Sequence, residues 1–313
     1  MKSPSIQNKP TTAITLKLVA VFLFMVMAAM IKAATENVPA GQAVFFRSLF
    51  AMPIILGWVW HRGEIREALV PKNFMGHVWR GLFGTSAMAL TFAGLGLLPL
   101  PEVTAIGYAT PIFTVILAAL MLGERIRLIR ISAVALGLVG VMIVLWPRLS
   151  LDGDVLSTAG SIGALMVLGA SILRALVQIH IRTLVQTEHT AAIVFYFSLT
   201  ATVLSLLSLP FGWVVPDTLD LGLLIGAGLI GGIAQILVTS SYRFGAASML
   251  APFDYASLIF AALIGYVIFS EVPTLTMVLG AALVVAGGVL IIWRERQLGG
   301  GRSRARAVTD PKG

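Results

Sequence analysis

The chain has 313 residues, 58% of them hydrophobic and 12% charged, with a formal net charge of +8 and no cysteine. Soluble domains carry about a quarter of their residues as Asp, Glu, Lys or Arg; half that share over this length is too little to coat a globule, which argues against a soluble enzyme, a nucleic-acid binder or a disordered scaffold. Without cysteine there are no disulfides, thiolate metal sites or cysteine nucleophiles, and the four histidines lack the His-Glu-x-x-His spacing of a zinc site.

A helix needs about 20 mostly apolar residues to cross roughly 30 Å of hydrocarbon. Ten segments qualify: 13–34, 41–60, 77–97, 102–122, 130–147, 159–182, 190–212, 219–241, 247–269 and 274–293. The apolar run Leu18 to Ile31 of the first has the length of a signal-peptide core. Lys17 and Lys32, able to snorkel to opposite interfaces, favour a retained span. Turn residues punctuate the connections: Pro99 and Pro101 before the fourth span, Asp152-Gly153-Asp154 after the fifth, Pro216-Asp217 before the eighth. Only 61–75 and 294–313 hold several charges in succession, and the second of these reads as a disordered basic tail beside anionic lipid.

Lysine and arginine set the orientation. With the N-terminus cytoplasmic, the inside segments hold eighteen of the 22; Lys32 and Arg148 fall outside, and Arg47 and Arg174 within spans. Both termini are therefore expected in the cytoplasm, and the positive charge faces the inner leaflet rather than a nucleic acid.

Sliding the chain along itself by 147 positions superimposes Tyr108 on Tyr255, Ile112 on Ile259, Phe113 on Phe260, Glu124 on Glu271, Gly140 on Gly287 and Trp146 on Trp293. Gly81/Gly228 and Gly84/Gly231 extend the register backward. Residues 13–147 and 159–293 are thus read as two copies, flanked by residues 1–12 and the tail 294–313. Five spans is an odd number, so the copies enter the membrane in opposite senses. The expected fold is an all-α membrane protein, ten transmembrane helices in two inverted five-helix repeats, a secondary-transporter architecture with its site near the midplane between the halves.

The run from Gly107 to Trp146, with Pro111, Gly123-Glu124 and Gly137/Gly140, resembles the EamA domain of the drug/metabolite transporter superfamily, as do Phe45-Phe46-Arg47 and the helix pair around Glu271. The resemblance spans about residues 13–293. Within the superfamily, Leu97 to Glu102 and the run from Thr190 to Trp213 are similar to a bacterial branch containing riboflavin importers. The resemblance implies an inner-membrane transporter; related members are described as exporting amino acids and other metabolites, and fold alone sets neither substrate nor direction.

Ionisable residues inside spans cost about 2.5–3.5 kcal/mol each on the insertion scale and mark candidate sites. Arg174, deep in the sixth span, has Gln178 one turn on, both candidates to bind substrate; Arg174 reads as a substrate-binding cation or as a salt bridge with Asp254 as its counter-charge, and Asp254 itself as a ligand for a proton or polar substrate or as a cap on the break at Pro252. Tyr108 and Tyr255, beside Pro111 and Pro252, stand where helix breaks open a cavity. Gln235 offers an amide to a ligand or to a neighbouring helix, and Arg47 with Glu102 offers an outer gate or structural ion pair, snorkelling being the plainer alternative for Arg47. Glu124 and Glu271, symmetric at helix ends, read as structural caps.

The expected function is alternating-access transport of a small amphipathic metabolite, with riboflavin uptake leading and export of amino acids or related metabolites as the alternative. A channel or a non-transporting scaffold is the reading from another class. No cofactor, metal, nucleic-acid partner or enzymatic activity is expected. The partners are the small-molecule substrate and the lipid bilayer, and the sequence leaves the oligomeric state open.

Overall fold

A computed structural model of the chain describes residues 9–122, 128–149, 155–244 and 250–308. Gly123-Glu124 and Asp152-Gly153-Asp154 lie outside the described residues.

Within them the chain is helical, in the order α1 (Pro10–Ala34), α2 (Ala40–His61), α3 (Ile65–Leu69), α4 (Phe74–Leu95), α5 (Leu100–Gly107), α6 (Ala109–Leu122), α7 (Leu128–Leu149), α8 (Val155–Thr187), α9 (Thr190–Ser205), α10 (Thr218–Phe244), α11 (Ala256–Phe269) and α12 (Leu275–Val308). Two 3-10 turns, Leu206–Phe211 and Ala251–Tyr255, follow α9 and precede α11. Proline stands in the first turn of α1 and of α5, where a missing N–H costs nothing. Asn73 caps α4, its side-chain oxygen accepting the Gly76 N–H at 2.9 Å. Gly212 closes the first 3-10 turn at φ 91°, in the left-handed region.

Six stretches are long and apolar enough to cross a membrane: 10–34, 40–61, 100–118, 158–181, 190–211 and 218–241. Shorter apolar helices occupy 134–144, 253–269 and 275–290, and the expected span 77–97 falls on α4. Many large apolar side chains face outward, Trp60, Phe211, Val267 and Ile268 among them, as a lipid-facing surface requires. The chain is a multi-pass membrane protein.

The fourth span is broken at Tyr108, whose N–H bonds Ala105 O at 3.2 Å as a turn, and the ninth begins with the 3-10 turn ending at Tyr255, so both tyrosines stand at interruptions of the helix. Two expectations are corrected. The basic tail continues α12 as helix to Val308 rather than being disordered. Lys17 and Lys32 do not snorkel outward; both turn into the protein and form ion pairs.

α1 packs along α10 and α4 along α8, α2 lies against α9, and α7 lies against α12. The closest backbone approach is in the last pair. A Cβ on Gly140 would stand 2.6 Å from Gly280 O, and one on Gly280 would stand 2.7 Å from Gly140 O. The main core gathers Ile31, Leu95, Leu98, Leu100, Ile106 and Ile112 around the α5–α6 break.

Candidate functional site

The break at Tyr108 is the structural origin of the site. α5 ends at Gly107, α6 restarts at Ala109, and the irregular backbone between them faces a cavity of about 180 Å³. α1 contributes Met25 and Ala28 to its wall, and α4 contributes Thr91 and Leu95. Its polar lining is Thr91, Thr104, Tyr108, Arg174 and Ser257, in an otherwise apolar surface. A mostly apolar hollow with a few convergent polar groups is the usual form of a small-molecule site.

Among the described residues, Arg174 is the only charged group in that lining. Its Nε donates to Ala170 O and its Nη2 to Ser171 Oγ, both at a long 3.4 Å. Among the described residues no carboxylate pairs with it. The guanidinium lies over Gly107, where an added Cβ would stand 3.4 Å from Nη2, in ordinary contact. Two stretched bonds to neutral acceptors leave most of a planar five-donor fork open to a ligand.

Tyr108 closes the cavity against the second half. Its hydroxyl and Ser257 Oγ lie in close contact, each 2.8 Å from Asp254 O, so one hydroxyl donates to that carbonyl while the other donates to it or to its fellow hydroxyl. Its ring meets that of Tyr255 with centroids 4.9 Å apart at 51°. The Tyr255 hydroxyl rests against Gly288 of α12, on space that any Cβ there would fill. The expected tyrosine pair is therefore assembled, but as rings engaged with one another rather than as two free stacking faces.

The expected partners of the arginines are reassigned. Asp254 pairs with Lys17 Nζ at 2.7 Å instead of Arg174; the lysine side chain is 3% exposed and the carboxylate 49%. No ion pair joins Arg47 to Glu102. Arg47 is buried with its guanidinium against Gly231 of α10, and Glu102 is buried in the first turn of α5, where a helix N-terminus favours negative charge. Gln178 is exposed and accepts the Thr114 hydroxyl at 3.0 Å, away from the cavity. Gln235 is half-buried on α10, also away from it, with its backbone carbonyl taken by Thr239 at 2.8 Å. Of the six substrate-binding candidates, the cavity takes Tyr108 and Arg174; sequence reasoning missed Ser257, Thr91 and Thr104. Hydroxyls are so common in membrane helices that nothing marked these three beforehand, although Ser257 sits opposite Thr110 in the 147-residue register.

Glu271 has the structural role expected of it, with a different helix. One oxygen holds Lys32 Nζ at 3.0 Å and the other accepts the Leu100 N–H at 2.8 Å, capping α5. Lys32 also donates to Leu98 O at 2.7 Å and Leu95 O at 3.2 Å, satisfying carbonyls at the end of α4. Met25 and Ala28 of the cavity wall lie between Lys17 and Lys32 on α1, so an ion pair to the second half stands at each end of the cavity.

The family model described as the EamA-like transporter family matches residues 11–146 and again 161–293, and the chain belongs to that family. It is 30% identical over 286 residues to a pseudopaline exporter of Pseudomonas aeruginosa, covering 90% of this chain and 93% of that protein. It is 28% identical to an S-adenosylmethionine uptake transporter of Rickettsia prowazekii (82% and 84% covered) and 26% identical to a riboflavin transporter of Vibrio cholerae (83% and 86%). A solved crystal structure matches in fold with a TM-score of 0.63 at 19% identity, over 92% of this chain and 99% of that one.

Proposed function

We propose that this EamA-like transporter is an inner-membrane carrier, with both termini cytoplasmic, that moves a small carboxylate-bearing metabolite, an amino acid or a derivative of one, by alternating access. The observation that carries the reading is the Arg174 guanidinium, facing the cavity without a carboxylate partner among the described residues. A cation held at membrane depth is expensive, and a substrate carboxylate would satisfy it through two parallel charge-assisted bonds. The apolar wall of Met25, Ala28 and Leu95 suits the remainder of such a molecule.

The ten-span inverted repeat is supported by how the helices pair. In the 147-residue register α1 corresponds to α8 and α4 to α10, and the packing of α1 on α10 is matched by that of α8 on α4. α2 meets its own counterpart α9, α7 meets its counterpart α12, and Tyr108 meets Tyr255. Equivalent residues touch one another only near the axis relating the copies. The cavity beside Tyr108 therefore stands at the seam, where rocking of one half against the other opens it to alternate faces. Lys17–Asp254 and Lys32–Glu271 act as the two latches, one parting for each opening.

Riboflavin uptake is the second reading, favoured by the Vibrio cholerae relative and the aromatic pair at the cavity. It has less support here: riboflavin carries no carboxylate for Arg174, and the two tyrosines occupy each other.

The test is counterflow in proteoliposomes, which reads exchange whatever the physiological direction. Saturable exchange of a labelled amino acid, with KM raised at least tenfold in Arg174→Gln and little changed for the neutral amide analogue, is the expected result. Saturable riboflavin exchange without any carboxylate exchange would install the second reading. Flux without saturation or counterflow would make the protein a channel, and no flux would make it a scaffold.

A further inference from the structure

Away from the cavity, α2 and α4 carry four polar side chains with buried donor atoms that have no acceptor. Arg47 Nε, Ser48 Oγ, Arg80 Nε and Nη1, and Thr85 Oγ1 are all shielded from solvent and lack a hydrogen-bond partner. Arg47 is 6% exposed, Ser48 0% and Thr85 7%. Neither arginine pairs with a carboxylate among the described residues. Arg80 Cζ lies 4.1 Å from the centre of the Phe197 ring, which offsets part of the cost of burial.

Helix geometry brings these groups to one depth. The carbonyls of Leu95 and Leu98 bond Lys32 beside the turn between α1 and α2, so the end of α4 and the start of α2 share a face. At 1.5 Å per residue, Ser48 lies about 12 Å below that face and Thr85 about 15 Å. Arg47 lies on the near side of that level and Arg80 on the far side, so the long side chains can extend toward it from both directions. Each guanidinium also rests on a glycine, Arg47 on Gly231 and Arg80 on Gly84. Those glycines are counterparts in the repeat register, whereas Arg80 and Thr85 fall opposite Ala227 and Gly232. The donors belong to one copy alone, unlike the packing glycines that both copies keep. A solely architectural device would be expected in both.

Buried polar groups in proteins are nearly always satisfied, and breaking the balance of a buried charge costs several kcal/mol. Five buried donor atoms without an acceptor, three of them on guanidinium groups, match the demand of an oxyanion. We propose that Arg47, Ser48, Arg80 and Thr85 form a second anion-binding site between α2 and α4, distinct from the cavity at Arg174. None of the four lines that cavity, so this site stands whether or not the substrate reading does. Its ligand is a small oxyanion, supplied either by the carboxylate of an organic solute or by a free inorganic anion.

The experiment is thermal unfolding of the purified full chain in detergent, in a buffer whose anion is a bulky sulfonate, titrated separately with acetate and with inorganic phosphate. The expected result is a saturable rise in midpoint, its half-saturating concentration raised at least tenfold in Arg80→Gln and severalfold in Thr85→Val, and unchanged in Arg174→Gln. Acetate acting at the lower concentration assigns the site to organic carboxylates, and phosphate assigns it to inorganic anions. In the anion-poor buffer Arg80→Gln should unfold no earlier than wild type, because it removes an uncompensated buried cation; a structural ion pair would predict the reverse. Equal shifts in wild type and Arg80→Gln, no shift with either probe, or a lower Arg80→Gln midpoint in the anion-poor buffer would each overturn the proposal. Thr85→Val keeps both charges and remains a test should Arg80→Gln not fold.

Discussion

Lys17 and Asp254 lie 237 positions apart and meet at 2.7 Å, an almost fully buried ammonium against a half-exposed carboxylate. The asymmetry of burial decides how the pair responds to mutation. Removing Asp254 takes the carboxylate away from an almost fully buried ammonium; removing Lys17 leaves an anion that water still reaches. Breaking a buried pair costs about 3–5 kcal/mol, and an exposed group far less.

Asp254→Ala is therefore expected to lower the thermal midpoint in detergent well below that of Lys17→Met, by a difference of about 2 kcal/mol in stability. Exchanging the pair, Lys17→Asp with Asp254→Lys, should recover part of the loss. Equal midpoints for the two single variants would show that the carboxylate does not hold Lys17.

Lys32 and Glu271 predict a different pattern, because each has several tasks. Glu271→Gln keeps an oxygen for the Leu100 N–H and loses the ion pair, whereas Glu271→Ala loses both and uncaps α5. Loss of a helix cap costs about 1 kcal/mol. The midpoint should fall in the order wild type, Glu271→Gln, Glu271→Ala. Lys32→Met should fall at least as far as Glu271→Ala, since it also abandons the carbonyls of Leu95 and Leu98.

The course of the helices was legible in the sequence because lipid makes apolar length the governing variable, and α1, α2 and α10 fall within three residues of the expected limits. Tyr108 and Tyr255, which a single offset aligns without gaps in the sequence, meet in the structure with ring centroids 4.9 Å apart. The partners of the charges were not legible. Lys17 reads as a snorkelling residue because hydropathy assigns an environment to a position along a helix but not to a direction around it. Its direction depends on how α1 turns against the second half, where Asp254 lies. Arg80 was hidden for a related reason: close to the start of α4, it counts toward a cytoplasmic loop, and only the packing of α9 shows that Phe197 covers it.

Membrane orientation gives a prediction independent of any side-chain contact. A reporter inserted at Asp152 and another fused after Gly313 should report opposite faces, the first periplasmic and the second cytoplasmic, as an odd number of spans between them requires. The same face for both would remove the inversion between the copies, and with it the seam on which the proposed cycle depends.

The contact between α7 and α12 tests the seam mechanically. Gly140 and Gly280 bring the two backbones so close that a Cβ on either meets the other's carbonyl oxygen, at 2.6 and 2.7 Å. Small residues at such crossings allow helices to associate in lipid, where no hydrophobic force drives them together. The obstruction is backbone rather than a movable side-chain end, so the helices themselves must separate. Gly140→Val should cost about 1–3 kcal/mol through overpacking, seen as a lowered unfolding midpoint. Gly57→Val, at a position with nothing within 4 Å of the added Cβ, is the control and should leave the midpoint close to wild type. Because the α7–α12 crossing also carries Gly288 and the Tyr255 hydroxyl against it, Gly140→Val should impair transport beyond its effect on the amount of folded protein. That excess is read as a reduced rate per folded molecule in proteoliposomes. A rate per molecule equal to wild type would make the crossing a static brace rather than part of the moving seam.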